Sequence, residues 1–170
     1  DLQPWNYWDA EGNPSGHTAE IVSRLEGVIA RNPDHAGALH LYVHAVEASN
    51  DPGRGVVAAD HLRTLIPGSG HLVHMPAHIY ARVGRWHDAV LANEVAVKAD
   101  DAYLDVCRGN AQGLYPLGYV PHNHHFLWFA ASMEGARAVA KAAAEATSAR
   151  TNLPDLMRQP GFAGLQHYWM

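Results

Sequence analysis

"RNPDHAGALHLYVHAVEASNDP" (residues 31–52) and "LIPGSGHLVHMPAHIYARVGRW" (65–86) lie 34 positions apart. Pro33 and Pro67 match at that spacing, as do His40 with His74 and His44 with His78. A fixed period of this length marks a chain built from repeated helical hairpins. Residues 68–100 carry the side chains that two packed helices need. Ala77, Ala89 and Ala96 are small enough to let helix axes approach, and Gly84 tolerates the left-handed backbone that ends a helix. Gly55 and Ala59 serve as small residues in the first unit.

A third unit is read in "VPHNHHFLWFAASMEGARAVAKAAAEATSA" (120–149). Setting Gly135 on Gly84 gives a shift of 51, which is 34 plus a 17-residue insertion. His122 then falls on His71, His125 on His74 and Ala140 on Ala89, and Pro121 becomes a first-turn proline, which helices tolerate. The insertion region, 101–120, holds glycines, tyrosines and a proline and is expected to be a long ordered loop. Residues 18–32 carry apolar side chains at 21, 22, 25, 28 and 29, a helical spacing. They fit the second helix of an incomplete first unit. Residues 1–17, with Trp5, Tyr7 and Trp8 among turn formers, are expected to form an extended arm packed on the array. Residues 151–170 are expected to start a further helix, and the chain reads as part of a longer protein.

Composition narrows the function classes. The chain has 170 residues, 48% of them hydrophobic, and alanine is prominent among these. That suits one domain or a short array with close helix packing. The net charge of −5 argues against a nucleic-acid surface, which is normally basic. No apolar run approaches the ~20 residues needed to span a bilayer. Cys107 is the only cysteine, so no internal disulfide forms. Thirteen histidines are the outlier, and they are spread along the chain.

The 34-residue pattern resembles the tetratricopeptide repeat (TPR). Ala77, Tyr80, Gly84, Trp86, Ala89, Ala96 and the preceding Pro67 stand at its characteristic positions. The resemblance implies an all-α, TPR-like solenoid of about three units, near 34–67, 68–100 and 121–150. The first helix of each unit would line a concave, ligand-binding face. "HLYVHAVEAS", "GHLVHMPAHIY" and "HNHHFL" further resemble a group of bacterial TPR-repeat proteins, many of them exported, which implies an exported or periplasmic location. This resemblance spans roughly residues 18–150 and implies no agreed activity.

In the TPR register the groove-facing residues are Gly37, His40, His44 and Glu47 in the first unit. They are His71, His74, His78 and Ala81 in the second, and His122, His125, Phe129 and Ser132 in the third. Helical geometry supports this independently, because at ~100° per residue positions 71, 74 and 78 fall within an arc of roughly 60°.

Neutral imidazole is the commonest metal-ligating side chain, and two histidines at i, i+4 can clasp one ion from a single helix. The expected centre is therefore built from His40, His44, His74 and His78 facing each other across one inter-helix gap. His71, His122, His125 and Glu47 would extend it. Seven histidines exceed one tetrahedral shell, which points to two ions, or to one ion with catalytic or supporting histidines around it. Zinc is the first expectation for the divalent ion, with copper and iron as alternatives. Glu47 would be a carboxylate ligand or a general base.

Two functions compete. One is a metal-binding protein, extending to a metal-dependent hydrolase or oxidoreductase acting on a small molecule. The other is a TPR scaffold that holds a peptide or protein partner in its groove without metal. His17, His35, His61, His87 and His167 fall outside the groove frame and are expected at the surface or in packing, and His124 should point away from His122 and His125. Pro76 should bend its helix and re-aim His71 and His74 relative to His78.

Overall fold

A computed structural model describes residues 6–107, 113–152 and 154–155. Among them the chain is helical throughout, apart from turns and one isolated bridge between Trp8 and Pro14. The helices are α1 (Thr18–Arg31), α2 (Ala36–Val46), α3 (Val56–Leu65), α4 (Gly70–His74), α5 (Pro76–Arg82), α6 (Trp86–Cys107), α7 (Val120–Glu134) and α8 (Arg137–Arg150). Each packs on its successor or near-successor: α1 on α2, α2 on α3, α3 on α5, α4 and α5 on α6, α6 on α7, and α7 on α8.

The helix ends obey local chemistry. The Nδ1 atom of His35 accepts the N–H of Ala38 at 3.1 Å and caps α2, a role that its position outside the repeat frame did not suggest. Gly84 (φ +77°) and Gly135 (φ +83°) end α5 and α7 in the left-handed conformation. At both turns an N–H reaches back five residues, from Arg85 to Tyr80 and from Ala136 to Ala131. This bond satisfies carbonyls that a helix end otherwise leaves open. The alignment of Gly135 on Gly84 therefore pairs two turns of the same construction.

Small residues set the helix spacing. Ala59, Ala77, Ala89, Ala92 and Ala96 are fully buried. A Cβ at Gly55 would stand 2.7 Å from Ile79 Cδ1, so α5 lies against the start of α3 with no room for a side chain. Tyr80 is buried between α3 and α5. Its hydroxyl donates to Asp60 at 2.7 Å, and the Arg85 guanidinium lies 4.4 Å over its ring.

Two sequence expectations change. The stretch 101–120 is not a loop over its described part: α6 continues through 101–107, and a π-helical turn, Tyr115–Tyr119, runs into α7. Its glycines and proline suggested a break, but Tyr103, Tyr115 and Tyr119 pack on one another and prolong the helices. The described part of the arm folds back on itself. Asp9 accepts backbone N–H groups from Glu11 and Asn13, and the Trp8 indole donates to the Ala45 carbonyl at 2.8 Å. Of the further helix expected at 151–170, Pro154 and Asp155 are helical and 156–170 lie outside the described residues. No helix of the described chain is long and apolar enough to cross a membrane.

Candidate metal centre

The histidines gather where α2, α4, α5 and α7 meet. They form two triads, His40–His44–His71 and His74–His78–His122, and each offers three ligand atoms within 4.8 Å of one another. This corrects the expected grouping. His40/His44 and His74/His78 do not share one shell. Each i, i+4 pair is completed by one histidine from a later helix, His71 for the first pair and His122 for the second.

Pro76 follows Met75, whose backbone stays α-helical (φ −49°, ψ −39°), and its missing N–H interrupts the ladder between α4 and α5. His71 and His74, both before it on α4, belong to different triads. His74 and His78 still meet across the interruption, with Nε2 atoms 2.9 Å apart.

Hydrogen bonds fix the tautomers in the second triad. Asn93 Nδ2 donates to the Ala89 carbonyl, so its Oδ1 faces His74 Nδ1 at 2.7 Å and accepts a hydrogen bond from it. His74 Nε2 is then a bare lone pair. His78 Nδ1 likewise donates to Glu47 Oε2 at 2.6 Å, which turns its Nε2 inward. His122 Nε2 lies 3.0 Å from His74 Nε2. Three imidazole nitrogens thus crowd one point, and an electropositive species, a proton or a metal ion, has to stand among them.

Nitrogens bound to a tetrahedral zinc at about 2.0–2.1 Å lie about 3.3 Å from one another. The observed Nε2 separations of 2.9 and 3.0 Å reach that value with shifts of a few tenths of an ångström. An all-imidazole donor set suits zinc, copper, iron or nickel. The residues present therefore fit a transition metal.

The first triad shares the Glu47 carboxylate but is less fully braced. His44 Nδ1 donates to Glu47 Oε1 at 3.0 Å, and His40 and His71 approach with Nε2 atoms 3.2 Å apart. His71 Nδ1 is buried without a hydrogen-bond partner. The triads are neighbours, with ring centroids of His44 and His78 5.6 Å apart and those of His71 and His74 6.2 Å apart.

No protein-family model, curated protein or solved structure matches the chain.

Glu47 and His125 do not stand with the ligands. Both oxygens of Glu47 accept from histidine Nδ1 atoms, one from each triad. His125 is outside both triads, and its ring lies 5.3 Å from that of Trp128. His61 and His87 pair with Asp34 and Glu134 at the surface, and His124 is buried away from the triads. Cys107, a weaker ligand candidate, ends α6 and joins neither triad. His167 lies outside the described residues.

Three polar residues were missed. Asn93, Asp100 and Asn123 are fully buried. Asp100 accepts from the Tyr115 hydroxyl and from Asn123 Nδ2, both at 2.7 Å, and the Tyr115 oxygen accepts the His71 N–H at 3.2 Å. This network ties the first turn of α4 to α6 and α7. The signal was available: Ala89, Asn93, Ala96 and Asp100 fall on one helical face, and polar residues on a buried stripe need a partner.

Burial and the repulsion of neighbouring rings push His40 down to about 4 and His71 down to about 3. The same causes hold His74 and His122 well below the usual imidazole range. Burial would raise Glu47, but its electrostatic contact and hydrogen bonds with His78 and His44 hold it well below the usual carboxylate range.

Stability should therefore depend on pH. An unfolded histidine takes up a proton near pH 6.5, whereas these four resist it when folded, so metal-free protein loses stability as pH falls from about 6.5 toward 4. Below about pH 4.5 the depressed Glu47 adds a loss of the same sign. Melting temperatures of metal-free protein should fall steadily from pH 7 to pH 5. A flat profile across that window would contradict the burial of neutral imidazoles.

Proposed function

We propose that the protein binds transition-metal ions in the two histidine triads, one ion in each. The observation that carries this reading is the second triad, where Asn93 and Glu47 hold the outer nitrogens of His74 and His78 as donors and turn bare Nε2 atoms toward each other at 2.9 Å. A proton in that position is opposed by burial, and a metal ion satisfies every nitrogen at once. Zinc is the first choice, with copper and iron compatible with the same donors. The 34-residue spacing and the paired glycine turns support a TPR-like arrangement of the helices around the centre. A metal held by three imidazoles keeps a coordination position open for water or a small molecule, which is the arrangement used for metal-assisted hydrolysis.

Elemental analysis of protein purified without a histidine tag tests the reading. Two ions per chain are expected in the unaltered protein, with metal reduced in His74→Ala and His78→Ala. Metal absent at stoichiometric level, or unaffected by both substitutions, would sink it and leave the metal-free groove as the better account.

A further inference from the structure

We propose that Glu47 is a positioning residue shared by the two triads, so that both depend on one carboxylate. The inference rests on the metal-binding reading and adds a dependence between the sites. Glu47 caps the end of α2, three residues after His44 and 31 before His78. One oxygen accepts from His44 Nδ1 at 3.0 Å and the other from His78 Nδ1 at 2.6 Å. Among the described residues no lysine or arginine pairs with it, so both oxygens are committed to the two rings.

The chemistry is specific to a carboxylate. An ionised carboxylate only accepts, so it requires an N–H at both Nδ1 atoms and leaves both Nε2 atoms free to ligate. Without it, either ring can carry its proton on Nε2, which blocks ligation until the ring changes tautomer. An acceptor placed behind a ligating imidazole fixes the ring's orientation and raises its basicity, and loss of that acceptor typically weakens metal binding by about 10–100-fold. Asn93 performs the same service for His74 alone. It therefore separates a local role from a shared one. A glutamine at position 47 would retain one accepting oxygen and present an NH₂ to the other ring. It should thus preserve one triad and disturb the other.

The test reads each triad by itself. His122→Ala leaves the first triad complete and His40→Ala leaves the second. Zn²⁺ affinity is measured in each by competition with a chromophoric chelator, and the visible spectrum of the Co²⁺ form reports ligand geometry. Adding Glu47→Ala should weaken Zn²⁺ binding about 10–100-fold in both backgrounds. Asn93→Ala should do so only in the second. Glu47→Gln should affect one background strongly and the other by less than about threefold.

An affinity unchanged by Glu47→Ala in either background overturns the shared role, while two ions bound by the unaltered protein would leave the metal reading standing. An unaltered protein that binds no Zn²⁺ overturns both. If Glu47→Ala does not fold, the near-isosteric Glu47→Gln decides, and unchanged affinity in both backgrounds overturns the proposal. Nitrogen-15 spectra of metal-free protein give an independent reading. His44 and His78 should both carry the proton on Nδ1, and an Nε2 proton on either neutral ring overturns the proposal.

Discussion

Replacing His74 with alanine should reduce bound metal from two ions per chain to one and destabilise the metal-free fold. His74 is fully buried, and its Nε2 atom touches those of both His78 and His122. It is the central member of its triad, and the two nitrogens left behind would lack their common neighbour. Asn93 Oδ1 would also lose its donor, and a buried unsatisfied acceptor costs about 1–3 kcal/mol. With the void left by the ring, a total of about 2–4 kcal/mol is expected.

His71→Ala makes the informative comparison. His71 is three residues away on the same helix but belongs to the other triad. Each variant should keep one ion, and the double variant should keep none. A folded His74→Ala that retains both ions would refute the division into triads. So would one that loses both, because that result describes a single indivisible cluster.

Gly70→Ala should unfold the site from outside it. A Cβ there would stand 2.0 Å from Asp100 Oδ1 and 2.9 Å from the Ala96 carbonyl oxygen. The carboxylate is pinned by Tyr115 and Asn123, and the carbonyl belongs to the backbone of α6, so neither yields cheaply. The remaining response is for α4 to move off α6. Overpacking of this kind costs about 1–3 kcal/mol, and more where backbone is met. Because α4 carries His71 and His74, one from each triad, the displacement should weaken both ions together. A Gly70→Ala protein with unchanged melting temperature and metal content would show that α4 is not seated as described.

Much of this was legible in the sequence, and the exceptions have physical reasons. The period of 34 and the glycines at 84 and 135 located helices and turns, because helix spacing and left-handed turns constrain residue type strongly. Six of the seven expected ligands lie in the triads for the same reason: an i, i+4 pair on a known face can point only one way. The division into triads was not legible, since it depends on how neighbouring helices are offset, which is not a property of one helix. His125 lies outside the triads, because periodicity gives a side chain's direction but not which neighbours it meets. Glu47 was recognised as part of the site, but its contact with two rings was not. Sequence spacing placed it beside His44, and only the packing of α5 on α2 brought His78 to its second oxygen. The run 101–120 was misread because its aromatic packing is tertiary.

The triads also obey a rule of succession. Each one takes two histidines four apart in the chain and borrows the third from the beginning of a later helix: 40 and 44 borrow 71, and 74 and 78 borrow 122. His125 begins what would be the next pair, and Phe129 stands where its companion is due. Among the described residues the ladder therefore stops at a benzene ring, after two rungs. Phe129→His would write the first two letters of another.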